Sequence, residues 1–344
     1  MLKYLKRILK VALVLFVLPL MAFVEELENE ELSESLRGIR GITPAKILTL
    51  ENNIVVTNLV GDSLLIGTDF GEVLEYAIQS DSLKTLVKLP DIKSFYAESY
   101  APKVYSLDRL GGKILIHSEG DYGTKKLFVF TEGRLEELPN MESFNIKKAA
   151  FVDEEKVFLG LVSNEIVLYD LKNQQILYRK QLSEASFSDF ALEIPKDYYV
   201  AACESGILYF GTIHNGAVLE ELEGENKDNV YQVKFAHLGD VMSFITAGQD
   251  RNMGLYQVNL QTKQTTSYKI HADFLIYSVG ISKDSRLGAY MQNEKSEIVV
   301  FEIASKRKIA LLKGHTSLLN NIIFASSRQI ISSEDGKNIL IWKF

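Results

Sequence analysis

The chain has 344 residues, 47% of them apolar and 24% charged, with 22 glycines and 6 prolines, a composition that excludes a collagenous, low-complexity or wholly disordered protein. The formal charge is −7, and the one cysteine, Cys203, excludes an internal disulfide, a four-sulfur zinc site and c-type haem attachment.

Lys3, Lys6, Arg7 and Lys10 precede an uncharged apolar run from Val11 to Val24. As a helix that run spans ~21 Å, short of the ~30 Å hydrocarbon core. With Pro19 near its end and a small residue at Ala22, residues 1–22 read as a secretory signal peptide cut near Ala22, and an uncleaved signal anchor is the alternative. The expected compartment is therefore the periplasm. Removing this segment takes away four positive charges and leaves a mature charge of −11. Such a surface repels phosphate backbones and anionic headgroups, so neither nucleic acid nor, beyond the signal segment, membrane is expected as a partner. Residues 23–43 follow as an acidic spacer, with six Glu among residues 25–34.

From residue 44 to residue 344 the chain repeats. Short apolar runs end on Tyr76, Phe130, Tyr169, Phe210, Tyr256, Phe301 and Trp342, seven markers with a mean period of about 43 residues. Within each unit the strands SLLIGT, KVFLGL, YYVAA and QIISS are apolar on both faces, as strands sandwiched between neighbouring sheets must be. The last strand of each unit is mixed, as in SLKTLVK, RLEELP, QQILYRKQL and RKIALLKG, and so belongs at an outer edge. The fold class is thus all-β, a seven-bladed β-propeller. The chain stops two residues after Trp342, so the last blade lacks its outer strand, and residues 45–50 (AKILTL) are expected to supply it and close the ring.

The C-terminal stretch 313–344 resembles the WD40-repeat family in its Gly314-His315 pair, its Asp335-Gly336 turn and Trp342. That resemblance implies a structural hydrogen-bonded set of His315, a strand hydroxyl from Ser332 or Ser333, Asp335 and Trp342. Two departures stand out: one residue too many separates Asp335 from Trp342, and Lys343 replaces the usual Asp. Elsewhere only Tyr169-Asp170 keeps the aromatic-Asp pair. In size, compartment and fold type the chain is also similar in outline to accessory propellers of periplasmic nitrate reductase systems, which implies a nitrate reductase component as partner.

No nucleophile elbow, zinc-protease helix, Walker loop or dinucleotide glycine signature is present, and Gly111-Gly112 reads as a turn. His117, His214, His237, His271 and His315 are read as falling in different repeats at unmatched positions, so no metal or other cofactor is expected. Asp69-Phe70-Gly71, Glu204-Ser205-Gly206, the run from Asp250 to Gly254 and Asp335-Gly336 read as strand-reversing turns. The second unit alone is long, with extra residues at 94–104 and 118–126. Phe95, Tyr96, Tyr100 and Tyr122 lie there, aromatics of the kind enriched at interfaces, and either bind a partner or fold back on their blade. The expected function is a non-catalytic periplasmic protein-binding scaffold. The alternative is an exported propeller enzyme with a metal or quinone in its central channel.

Overall fold

A computed structural model describes residues 36–96 and 98–344; the signal segment and most of the acidic spacer lie outside the described residues. Seven antiparallel sheets follow one another around a ring. The first runs through Ile54–Val60, Ser63–Thr68, Glu72–Ala77 and Ser82–Lys88 from axis to rim, and the next five repeat that order. Blade seven takes Leu319–Ser326, Gln329–Glu334 and Asn338–Lys343 from the C-terminus and its outermost strand, Lys46–Thr49, from the N-terminus. Lys46 pairs with Ile341 and Thr49 with Asn338, so the chain ends meet in one sheet and the ring closes. Gly41 and Ile42, placed in the spacer by the sequence reading, form a further short strand that runs parallel to Leu311 and Leu312 of blade six. The boundary at residue 44 therefore moves to residue 41, because two residues with weak strand character acquire order from the edge they cover.

Burial follows the position of each strand in its blade. Second strands such as Ser63–Thr68 and Lys156–Leu161 are buried after their first residue, whereas fourth strands such as Gln175–Gln181 are almost wholly exposed. Lys308–Leu312 of blade six is the exception, with its last three residues buried where Gly41–Ile42 lies against it. The apolar core is a series of layers between sheets. Leu64, Ile66 and Tyr76 of blade one pack with Ile331, Ile339 and Ile341 of blade seven, and similar clusters join blades one to five in turn. Each of the seven marker aromatics stands on a third strand, and all but Phe130 are buried. Close approach needs glycine at a few places: at Gly288 a Cβ would fall 2.4 Å from the Phe301 ring, so the glycine lets that marker lie flat across its sheet.

Candidate protein-binding surface

The extra length of the second unit resolves into two loops, residues 89–103 leading into blade two and residues 120–124 between its second and third strands. In a four-stranded meander these two kinds of connection emerge on the same face of the ring. They are tied together there: Tyr122 N donates to Lys93 O at 2.8 Å, and Lys93 N donates to Asp121 Oδ1 at 2.9 Å. Lys126 holds the other carboxylate oxygen of Asp121 at 3.1 Å, and these bonds keep Asp121 below the usual carboxylate range.

Three of the four aromatics project from this frame. Phe95 is 80% exposed, Tyr96 99% and Tyr122 52%, and the rings of Phe95 and Tyr122 meet at 5.0 Å between centroids. Tyr122 has φ +56, a conformation a bulky side chain rarely adopts, so the loop holds this ring outward at some backbone cost. Tyr100 is different. Its backbone bridges Ile92, and its hydroxyl donates to Glu119 Oε1 at 3.0 Å, which makes it a tie between the loop and blade two. Of the two readings left open by the sequence, Tyr100 takes the inward one and the other three point out.

In blade seven, Trp342 Nε1 donates to Ser332 Oγ at 2.8 Å, Ser332 Oγ meets His315 Nε2 at 2.6 Å, and His315 Nδ1 meets Glu334 Oε2 at 2.9 Å. Trp342 can only donate and the Glu334 carboxylate can only accept, which fixes the two ends: the indole donates to Ser332 and His315 Nδ1 donates to Glu334. The acid is Glu334, where the sequence reading chose Asp335. Asp335 is exposed in the turn, whereas Glu334 is buried at the end of the second strand, one residue nearer Ser332 and one methylene longer, and it is this side chain that meets His315. Burial alone would raise the Glu334 carboxyl, but bonds from His315, the Thr316 amide and Asn338 hold it down at about 2. Ser333 bonds instead to Thr57 of blade one at 3.0 Å.

Blade five carries a second set that the sequence reading missed. Thr246 Oγ1 donates to Asn226 Oδ1 at 2.6 Å, Asn226 Nδ2 donates to Asp250 Oδ1 at 3.1 Å, and Tyr256 Oη receives the Glu225 amide at 3.1 Å. Asp250 sits in the expected turn and also holds the blade together. The remaining histidines do not converge. His237 and His271 share blade five, contrary to the reading that each lay in its own repeat, but they stand on its innermost and outermost strands. His117 is buried in blade two with neither ring nitrogen bonded among the described residues, and burial, then Lys125 and Lys147, pull it down to about 3.

The innermost strands line a central cavity of about 580 Å³. Polar side chains cross it from blade to blade: Lys148 donates to Asp189 Oδ1 at 2.7 Å, Asp189 Oδ2 accepts the Val233 amide at 3.0 Å, and Asp108 Oδ2 accepts the Phe151 amide at 2.8 Å. The inner strand of blade six, Val279–Ile281, is only three residues long. Lys234 of blade five therefore reaches past it to Asn321 Oδ1 and Ile322 O of blade seven. Burial pulls the Lys234 amine down to about 7, against the attraction of Asp189. The sequence signal for this belt was a charged residue in the middle of an inner strand, Asp189 in FSDFALE and Lys234 in YQVKFAH.

No protein-family model matches the chain, and no curated protein matches it by sequence. Solved structures do match in fold. A chain of the mitotic checkpoint complex superposes with a TM-score of 0.72 at 10% identity over 88% of this chain and 96% of that one. The β-propeller domain of Myceliophteria thermophila Cps50 (Swd1) gives 0.68 at 14% identity over 88% and 99%. At such identities the likeness establishes the architecture, a seven-bladed propeller, and leaves function to this chain's own surface.

Proposed function

We propose that this protein is a non-catalytic scaffold, exported to the periplasm, that holds another protein through Phe95, Tyr96 and Tyr122. The observation that carries this reading is three outward aromatics on loops braced by Lys93, Asp121 and Lys126, mounted on a closed ring. Rings already ordered lose little entropy on docking, and aromatic anchors dominate protein interfaces. Export is supported by the basic and apolar segments at the N-terminus. The specific partner proposed is a component of periplasmic nitrate reduction, on the likeness in size and compartment to accessory propellers of that system. The competing reading places a metal or quinone in the central channel. What weighs against it is that Asp108 and Asp189 already accept bonds from neighbouring blades.

Changing Phe95, Tyr96 and Tyr122 together to Ser should leave the thermal midpoint nearly unchanged and weaken partner binding by about 2 kcal/mol or more. A photo-crosslinking residue at position 96, used in living cells, should yield adducts with a discrete protein. Absence of adducts there and at other positions around the ring removes the scaffold reading. Unchanged nitrate reduction in a deletion strain removes the nitrate assignment alone. A stoichiometric ion or chromophore in the purified protein favours the channel enzyme.

A further inference from the structure

The blade topology sorts every connection onto one of two faces. Links between blades, and turns between second and third strands, lie on the face that carries the aromatic cluster; turns between first and second and between third and fourth strands lie on the other. By that sorting, the loops of the aromatic face hold sixteen Asp and Glu against seven Lys and Arg, a surplus of nine negative charges. Loops of the opposite face hold nine against eight and are close to neutral. The acidity of this chain is thus concentrated on one side of the disc. Exposed apolar side chains divide in the same way. Phe70, Val162 and Leu318 join Phe95, Tyr96 and Tyr122 on the acidic face, whereas the other face, among the described residues, shows Ile194 in a loop and Val218 and Leu238 at strand ends, with no aromatic among them.

We infer that the acidic face is the docking surface and that its occupant is a basic protein segment carrying an apolar or aromatic anchor. This rests on the scaffold reading and adds the chemistry of the partner. Carboxylates spread over a broad face attract a cationic segment from a distance of about a Debye length, ~10 Å at 0.1 M salt, while the aromatics supply the short-range contact. Aromatic rings also take cations on their faces. Phe70, in a loop of this same face, already does so with Lys88 at 4.1 Å. Phe95, Tyr96 and Tyr122 offer further ring surface to incoming Lys or Arg. The same field repels nucleic acid and anionic lipid, which makes a basic protein the occupant that fits.

The test uses the purified chain and three labelled 20-residue peptides: one alternating Lys/Arg with Leu and Trp, its Asp/Glu counterpart, and a Lys/Arg peptide whose apolar positions are Ser. Binding by fluorescence anisotropy should be tightest for the first and should weaken at least about tenfold between 50 and 500 mM salt. Reversing three acids of the aromatic face, Glu51→Lys, Glu98→Lys and Glu142→Lys, should weaken it by about tenfold or more, while Glu132→Lys, Glu154→Lys and Asp240→Lys on the opposite face should change it less than about twofold. Both sets alter net charge equally, so equal effects would reveal attraction to net charge only and overturn the inference. So would equal binding of the acidic peptide, or indifference to loss of the apolar positions. Crosslinked protein adducts at position 96 together with such a peptide result would leave the scaffold standing and remove only its basic partner.

Discussion

Blades six and seven are neighbours in the ring and share one strand register, yet they are held together differently. Trp342 faces Ile330 across the sheet as Phe301 faces Gly288, and two residues further along the second strand stand Ser332 in one blade and Tyr290 in the other. In blade seven the hydroxyl at that place lies at the centre of a bonded chain from Trp342 to Glu334. In blade six the Tyr290 hydroxyl is buried without a partner among the described residues, as are both side-chain polar atoms of Gln292, Ser296 Oγ and Asp273 Oδ1. Two further residues along again, Gln292 stands where blade seven has Glu334. Blade six has the aromatic at the marker position without a bonded polar set beside it. The difference teaches that interblade packing carries the fold and that a hydrogen-bonded set adds to single blades, the seventh and the fifth, without being needed in the sixth.

If packing and closure carry the fold, the largest effect belongs to the strand that makes the ring continuous. Deleting residues 44–51 removes the outer strand of blade seven and opens the edge Asn338–Lys343. The expected outcome is loss of cooperative unfolding, or aggregation, seen by calorimetry and light scattering. Wild-type behaviour would break the closed-ring account.

Two buried groups whose shifts act in the same direction, His117 and Glu334, come next. His117 is held neutral down to about 3, whereas the unfolded chain protonates near the ordinary 6.5. Its contribution is full above pH 6.5 and is lost as pH falls toward 3. Glu334 is held at about 2 against an ordinary 4.5, so its contribution is full above pH 4.5 and is lost as pH falls toward 2. Each is worth about 3–5 kcal/mol when fully lost. Denaturant midpoints at pH 7, 5.5 and 4 should fall for the wild type, and His117→Leu should flatten the step between pH 7 and 5.5. A step that survives in that variant would mean that another group is responsible.

Truncating the markers tests the packing half of the comparison directly. Trp342→Ala and Phe301→Ala should each cost about 3–5 kcal/mol, the range for a buried ring, with Trp342 the costlier by its lost bond. A cost below about 1 kcal/mol at Phe301 would mean that blade six is not held by its aromatic.

The architecture was legible in the sequence because packing is periodic. Seven aromatics and seven two-sided apolar strand pairs follow from sheets that bury both faces, and the missing last strand follows from counting. The polar features were less legible because they are made by geometry across blades. Glu334 and Asp335 are adjacent acids, and only the strand register decides which reaches His315. Asn226, Thr246 and Asp250 share no residue type with the set in blade seven except a hydroxyl, so the likeness appears only once they are superposed on the blade. Lys234 reaches blade seven because the inner strand of blade six is short, a relation between residues almost ninety apart. Of the four aromatics, spacing alone could not separate Tyr100, whose hydroxyl finds Glu119, from the three whose rings stay exposed.

The smallest effects sharpen the comparison most, because they carry opposite signs at one register. Ser332→Ala removes a hydroxyl that receives the Trp342 indole and meets His315 Nε2, and it leaves both groups buried and unpaired. A stranded polar group costs about 1–3 kcal/mol, so a total of about 2–3 kcal/mol is expected, with partial relaxation keeping it below the sum. Tyr290→Phe removes a hydroxyl that has no partner among the described residues and leaves the ring against Phe301, centroids 5.8 Å apart. Nothing is stranded and a buried oxygen is deleted, so stability should be unchanged or higher by up to about 1 kcal/mol. Urea unfolding of the two variants beside the wild type reads both. A loss of more than about 1 kcal/mol in Tyr290→Phe would mean that an ordered water or a neighbouring group satisfies that hydroxyl and that the polar set of blade six still functions. A loss of less than about 0.5 kcal/mol in Ser332→Ala would mean that Trp342 and His315 re-pair without it, and the two blades would then differ in composition but not in what holds them.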